Sequence, residues 1–82
     1  MFYTEISSGQ FEIYKKNGNG SLLTPKPKDQ KEIANIKVGK YFGLIDASDP
    51  QSTILNCKIT KVEEKKVNEN LTFIEYGFVI SW

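Results

Sequence analysis

From Ile74 onward, every second residue of the segment Leu71–Trp82 is large and apolar: Ile74, Tyr76, Phe78, Ile80 and Trp82. Side chains on a β-strand alternate between its two faces, so this spacing puts all five on one side. A strand with so much apolar surface on one face must lie at the centre of a sheet and bury that face. The rest of the chain has to supply the other strands and whatever covers them.

The remaining segments follow the same rule. Residues 2–6 alternate, with Phe2, Thr4 and Ile6 on one face and Tyr3 and Glu5 on the other. Ser7-Ser8-Gly9 supplies turn residues. Residues 10–16 place Phe11 and Ile13 on one face and Gln10, Glu12 and Tyr14 on the other. The two segments together predict a β-hairpin. Asn17-Gly18-Asn19-Gly20 then reads as a tight turn, because Asn and Gly tolerate positive φ. Ser21–Thr24 is a short third strand, ended by Pro25 and Pro27, which cannot donate to a ladder. Thr24–Lys28 is an extended connector.

Asp29, with Glu32 three residues on, has the pattern of a capped helix start. Ile33 and Ile36 share a face of that helix, and Gly39 ends it. Tyr41–Asp46 is a buried strand, and Asp46–Gln51 a turn-rich loop. Thr53–Lys65 is a long strand with Leu55, Cys57 and Ile59 on one face. Val62 has the opposite parity, so a β-bulge near Thr60 or Lys61 is expected. Lys66–Asn70 is a polar loop.

The expected fold is mainly β, of the β-rich α+β kind. It is a small antiparallel sheet or partly closed barrel of five or six strands with one short helix. Closure would resemble an OB or SH3-like barrel. The 82 residues form a single domain. A domain of this size has a modest stability, on the order of 5–8 kcal/mol.

Composition narrows the chemistry. There is no histidine, which removes the commonest general base and metal ligand. Cys57 is the single cysteine, so no internal disulfide forms and no structural zinc site can be built. Its place beside Leu55 and Ile59 marks it as a core residue. Glu63 and Glu64 are adjacent on a strand and point to opposite faces, which is poor geometry for paired acid–base work. Asp46 and Asp49 share a loop and read as turn residues, since a calcium loop needs more oxygens and a distal Glu. Gly18-Asn19-Gly20-Ser21 lacks the spacing and the strand-to-helix context of a phosphate loop. The expectation is a non-enzyme with no cofactor and no metal.

All eleven basic residues are Lys, with no Arg, and the net charge is +1. Arg supplies the planar fork that reads phosphate and guanine edges. Lys, Asn and Ile are abundant, as in an AT-rich genome, which suggests a phage or mobile-element origin. Lys15, Lys16, Lys26, Lys28, Lys31, Lys37 and Lys40 fall in one stretch against Asp29 and Glu32, between net-acidic flanks. Glu5 interrupts the one candidate leader segment, and no apolar run is long enough to cross a bilayer. A cytoplasmic location, in the producing or infected cell, is the expectation.

Lys40-Tyr41-Phe42-Gly43-Leu44-Ile45 is loosely similar to the K-G-F-G-F-I strand of cold-shock domains, whose exposed aromatics stack on single-stranded bases. The similarity covers six residues. Tyr41 stands where that motif has glycine, Leu44 replaces an aromatic, and the second aromatic motif with its histidine is missing, so the family is not assigned.

The function expected is a small protein-binding module that stoichiometrically occupies a site on a larger protein, of the inhibitor, immunity or phage counter-defence type. Its candidate surface is Tyr3 and Tyr14, both placed on the outer face of the first hairpin, with Lys15, Lys16, Lys26 and Lys28. The alternatives are an OB or SH3-like barrel that binds single-stranded nucleic acid, and a structural subunit of a virion or larger complex. The core assignment has a direct check: Phe78→Ala should cost about 3–5 kcal/mol in a denaturant melt. A loss under about 1 kcal/mol would remove Leu71–Trp82 from the centre of the fold.

Overall fold

The computed structural model describes residues 2–81. The order is β1 (Phe2–Ile6), α1 (Ser8–Asn17), β2 (Asn19–Pro25), α2 (Gln30–Asn35), β3 (Tyr41–Asp46), β4 (Leu55–Asn68) and β5 (Leu71–Ile80). The five strands form one sheet in the order β1-β3-β4-β5-β2, curled into a half-barrel. The mainly β class is as expected. The expected antiparallel arrangement holds for every pair except β1 with β3, which run parallel, so the sheet is mixed.

Residues 10–16 are helical, which corrects the expected first hairpin. Ser7 caps α1 by accepting from the Gln10 N–H at 3.4 Å. Phe11 and Tyr14, three apart, face the sheet, while Ile13 is 55% exposed. The alternation of Phe11 and Ile13 is therefore incidental. Lys15 and Lys16 lie in the last turn, where cations are favoured. Gly18, at φ 80°, closes the helix by donating its N–H to the Tyr14 carbonyl at 2.8 Å. The Asn-Gly signal thus ends a helix and does not turn a hairpin.

This helix explains the connection. β1 and β2 occupy opposite edges of the sheet. Ten residues of helix span about 15 Å, most of the width of a five-stranded sheet drawn in by curling. α1 carries the chain from one edge to the other across the inner face, where Phe11 is buried. α2 is capped as expected, with Asp29 Oδ1 accepting from the Lys31 N–H at 2.8 Å. Ile36 is buried and Ile33 partly so. The helix ends at Asn35, before the expected stop at Gly39, whose N–H bonds to the Ile59 carbonyl at 2.8 Å.

β4 shows the expected bulge. Ile59 pairs with Phe78 and Lys61 with Gly77, leaving Thr60 as the extra residue. Val62 thereby returns to the inner face, packed against the core. β4 runs on to Asn68, so most of the expected 66–70 loop is strand. β5 buries Ile74, Tyr76, Phe78 and Ile80 on its inner face. Trp82, expected to extend that face, lies outside the described residues.

Two tyrosines cover strand glycines. The Tyr14 ring lies against Gly20, so a methyl there would come within 2.6 Å of Tyr14 Cε1 and 3.0 Å of Phe78 Cζ. The Tyr3 ring lies against Gly43 on the other face, 2.5 Å from where a Cβ would stand at Cδ1, with Ile54 Cγ2 at 2.9 Å. The two differ in freedom. Tyr14 is held edge-on to Phe78 and donates its hydroxyl to the Ser21 carbonyl at 3.1 Å. Tyr3 is 56% exposed and can swing aside. Gly20→Ala should therefore destabilise by about 2 kcal/mol, while Gly43→Ala should stay within about 1 kcal/mol of the parent. Paired denaturant melts check this, and equal losses would mean that Tyr3 is as tightly held as Tyr14.

Candidate functional site

Strand parity gives the sheet two unlike faces. The inner face holds the core, covered by α1. The outer face carries Tyr3 and Glu5 of β1, Tyr41 and Gly43 of β3, Asn56 and Lys58 of β4, Gly77 and Val79 of β5, and Ser21 and Leu23 of β2. Neither helix packs over it. Tyr3, Tyr41, Ile54 and Val79 are 56%, 42%, 45% and 40% exposed. Register sets Tyr41 beside Lys58, and Lys58 beside Val79. Tyr3 pairs with Gly43, two residues on from Tyr41. The two tyrosines thus sit diagonally across the β1–β3 pair.

The distal part of this face is charged. Glu63 and Glu75 stand directly opposite each other. Lys61 lies 3.2 Å from Glu63, and Lys65 lies 3.3 Å from Glu75. These half-exposed pairs relieve the repulsion and add little stability of their own.

The sequence-expected surface does not assemble. Tyr3 lies on the outer face, whereas Tyr14 lies on the inner side under α1, against Phe78. Lys15 and Lys16 sit at the C-terminal end of α1. Lys26 and Lys28 lie past the far end of β2, a seven-residue strand about 23 Å long. Lys26 is engaged with Glu64 at 2.8 Å. Lys28 and Lys26 border a shallow depression of about 390 Å³ that also includes Glu69 and Asn70. The residues the sequence reading passed over are Tyr41, Ile54, Lys58 and Val79. The signal for Tyr41 was available: with Phe42 facing in, its neighbour must face out.

Phe42 is fully buried and stacks on Phe2 at 5.2 Å. It therefore cannot serve as the base-stacking aromatic that the cold-shock similarity would require of this strand. Tyr41 alone of the segment's two aromatics is exposed.

Asp46 is the buried carboxylate among the described residues. Its Oδ1 accepts from the Ser48 N–H at 2.9 Å and its Oδ2 from the Ser8 hydroxyl at 3.2 Å. It ties the first turn of α1 to the end of β3. Among the described residues no group of three or more Cys, Asp or Glu is placed to hold a metal ion. Among them, too, no helix is long and apolar enough to cross a membrane.

A second concavity lies along the free edge of β1. Its volume is about 250 Å³, and it is bordered by Phe2, Thr4, Tyr76 and Ile36 with Glu32 and Asn35 of α2. The Thr4 and Tyr76 hydroxyls meet there at 3.3 Å. Burial raises the Tyr76 phenol above its ordinary value, an effect partly offset by the Thr4 hydrogen bond.

No protein-family model, curated protein or solved structure matches the chain.

Cys57 is fully buried, and desolvation pushes its thiol up from 9.0 to about 11. The neutral thiol is the form the fold accommodates. This contribution to stability is complete below pH 9 and is lost as pH rises toward 11. An aromatic disulfide reagent at pH 8 should therefore label Cys57 at least about 100-fold more slowly in the native protein than in guanidinium. Labelling at the denatured rate would place the thiol at the surface.

Proposed function

We propose that the protein is a small non-enzymatic module that binds another protein and acts by stoichiometrically occupying a site on it, as inhibitors, immunity proteins and phage counter-defence proteins do. The observation that carries this reading is the uncovered outer face. A curved sheet presents two tyrosines, an isoleucine and a valine to solvent around Lys58, with no helix packed over them. Exposed aromatic and aliphatic anchors ringed by polar groups are how protein interfaces concentrate their binding energy. The near-neutral charge and the absence of histidine fit a partner recognised by shape more than by long-range attraction or chemistry.

A second reading, binding of single-stranded nucleic acid, is favoured by one observation. Tyr3 and Tyr41 lie diagonally on one open sheet face with Lys58 at hand, an arrangement that offers two stacking surfaces and a cation. The missing Arg weighs against it.

Tyr41→Glu separates these from a structural role. Tyr41 is exposed, so the change should leave stability within about 1 kcal/mol. Affinity capture from nuclease-treated cells of the source organism should then lose a near-stoichiometric protein partner, with affinity reduced at least about tenfold. Capture that vanishes on nuclease treatment of the parent protein would transfer the function to nucleic acid. Capture unchanged in Tyr41→Glu would remove the outer face from the partner interface.

A further inference from the structure

The half-barrel has an open seam between its two edge strands, β1 and β2, and the two edges are not equally protected. In a strand, the N–H and C=O of one residue point to the same side, and the side alternates along the chain. The Ile6 carbonyl accepts from the Ala47 N–H at 2.9 Å, on the β3 side. Phe2 and Thr4 share that parity. Tyr3 and Glu5 therefore aim their backbone donors and acceptors into the seam.

Across the seam, β2 has the same geometry with guards. Lys26 N–H bonds to the Thr72 carbonyl and Ile80 N–H to the Gly18 carbonyl, both at 2.8 Å. The even-numbered residues of β2 thus face β5, and Ser21, Leu23 and Pro25 face the seam. Ser21 O is taken by the Tyr14 hydroxyl, Pro25 has no N–H, and Pro25 O accepts from Thr24 Oγ1 at 3.3 Å, so the open groups of β2 centre on Leu23. The outer stretch of β4, beyond its pairing with β3, is guarded by its alternating Lys61, Glu63 and Lys65. On β1, Glu5 is the one charge on a free edge.

Beside that edge lies the concavity of about 250 Å³. Phe2, Ile36 and the Tyr76 ring line it together with the Thr4 and Tyr76 hydroxyls, Thr24 and Pro27 border it from the β2 side, and its rim carries the exposed Glu32. Neither Glu5 nor Glu32 has an ion-pair partner among the described residues. Rings, an isoleucine and two hydroxyls beneath a free carboxylate suit a side chain with an aliphatic stem and a hydrogen-bonding cationic tip.

We propose that an extended segment of the partner protein adds to the free edge of β1 as a further strand and seats a lysine or arginine side chain in this concavity. The proposal rests on the protein-binding reading above and adds the mode of binding and the chemistry of the bound segment. Main-chain bonds to Tyr3 and Glu5 would hold the strand, and the concavity would select its side chain. A second copy of β1, Phe-Tyr-Thr-Glu-Ile, carries no basic residue to place there.

The test selects displayed random peptides on the full protein and measures a selected synthetic peptide by fluorescence anisotropy. Two variants report on the seam. Glu5→Pro deletes one seam-facing N–H and leaves the β1–β3 ladder intact, because proline is tolerated at such edge positions. Glu32→Lys reverses the charge at the rim on an exposed helix position, and it keeps the test valid should Glu5→Pro fail to fold by circular dichroism. The expected result is a family of extended peptides sharing a basic residue, each binding at least about tenfold more weakly to either folded variant. Ile13→Ser, on the exposed side of α1, should bind them as the parent does.

No enriched family, or peptides that bind both variants normally, would overturn the seam. Peptides lost only in Tyr41→Glu would overturn it too, while keeping protein binding on the outer face. A dimer of the parent protein that Glu5→Pro dissociates would put a second copy in the seam and likewise overturn the proposal. Nuclease-sensitive capture of the parent would remove the protein-binding reading and this inference together.

Discussion

The curl of the sheet depends on one aromatic interlock. β1 and β5 are separated by two strands in the sheet, yet Phe2 and Tyr76 meet at 6.2 Å. Phe42, with no solvent exposure, is the hub. It stacks on Phe2 with the rings within 9° of parallel, and it meets Tyr76 and Phe78 edge-on at 5.4 and 5.3 Å. Tyr14 extends the chain of rings to α1 through Phe78. Each such contact adds about 0.5–1.5 kcal/mol beyond the burial itself. The surface ion pairs on the outer face add about 0–1 kcal/mol each. The rings therefore set the curvature, and the charges decorate it.

Where period-two patterning is strong, the fold can be read directly from the residues. β3 and β5 declare their buried faces, and the parity break at Val62 announces the bulge that moves it inward. Asp29 marks the start of α2 for a local reason, its own side-chain hydrogen bond. α1 is the element that misleads. Its apolar face is only Phe11 and Tyr14, and Ile13 happens to complete a strand-like alternation. Ser7, with Gln10 three residues on, is a capping pattern that outweighs it, and the helix it starts ends at Gly18. The strand order is illegible for a different reason. Which strands become neighbours is decided by the ring cluster, and nothing in five residues of β1 names β3 as its parallel partner.

The residues of the candidate surface part company at the same element. Once residues 10–16 are helical, Tyr14 turns inward and cannot stand beside Tyr3. Lysines that are close in sequence are parted to the two ends of β2, Lys15 and Lys16 before it and Lys26 and Lys28 after it. What survives is parity: Tyr3 faces outward as the alternation requires, and Tyr41 and Val79 join it because Phe42 and Phe78 face inward. Sequence proximity of charges is a poor guide to a surface, whereas alternation beside a confident core residue is a good one.

The parallel pairing of β1 with β3 has a temporal side. Thr4 is matched to Leu44, with two helices and a strand between them in the chain. β4 and β5 need only the short turn at Glu69 and Asn70 to meet. Closing a long loop costs more entropy than closing a short one, and such contacts form late. On a growing chain, β1 is made before β3 and has no partner until β3 follows. The hairpin is thus the natural seed of folding, and the strand that borders the seam is the last to take its place.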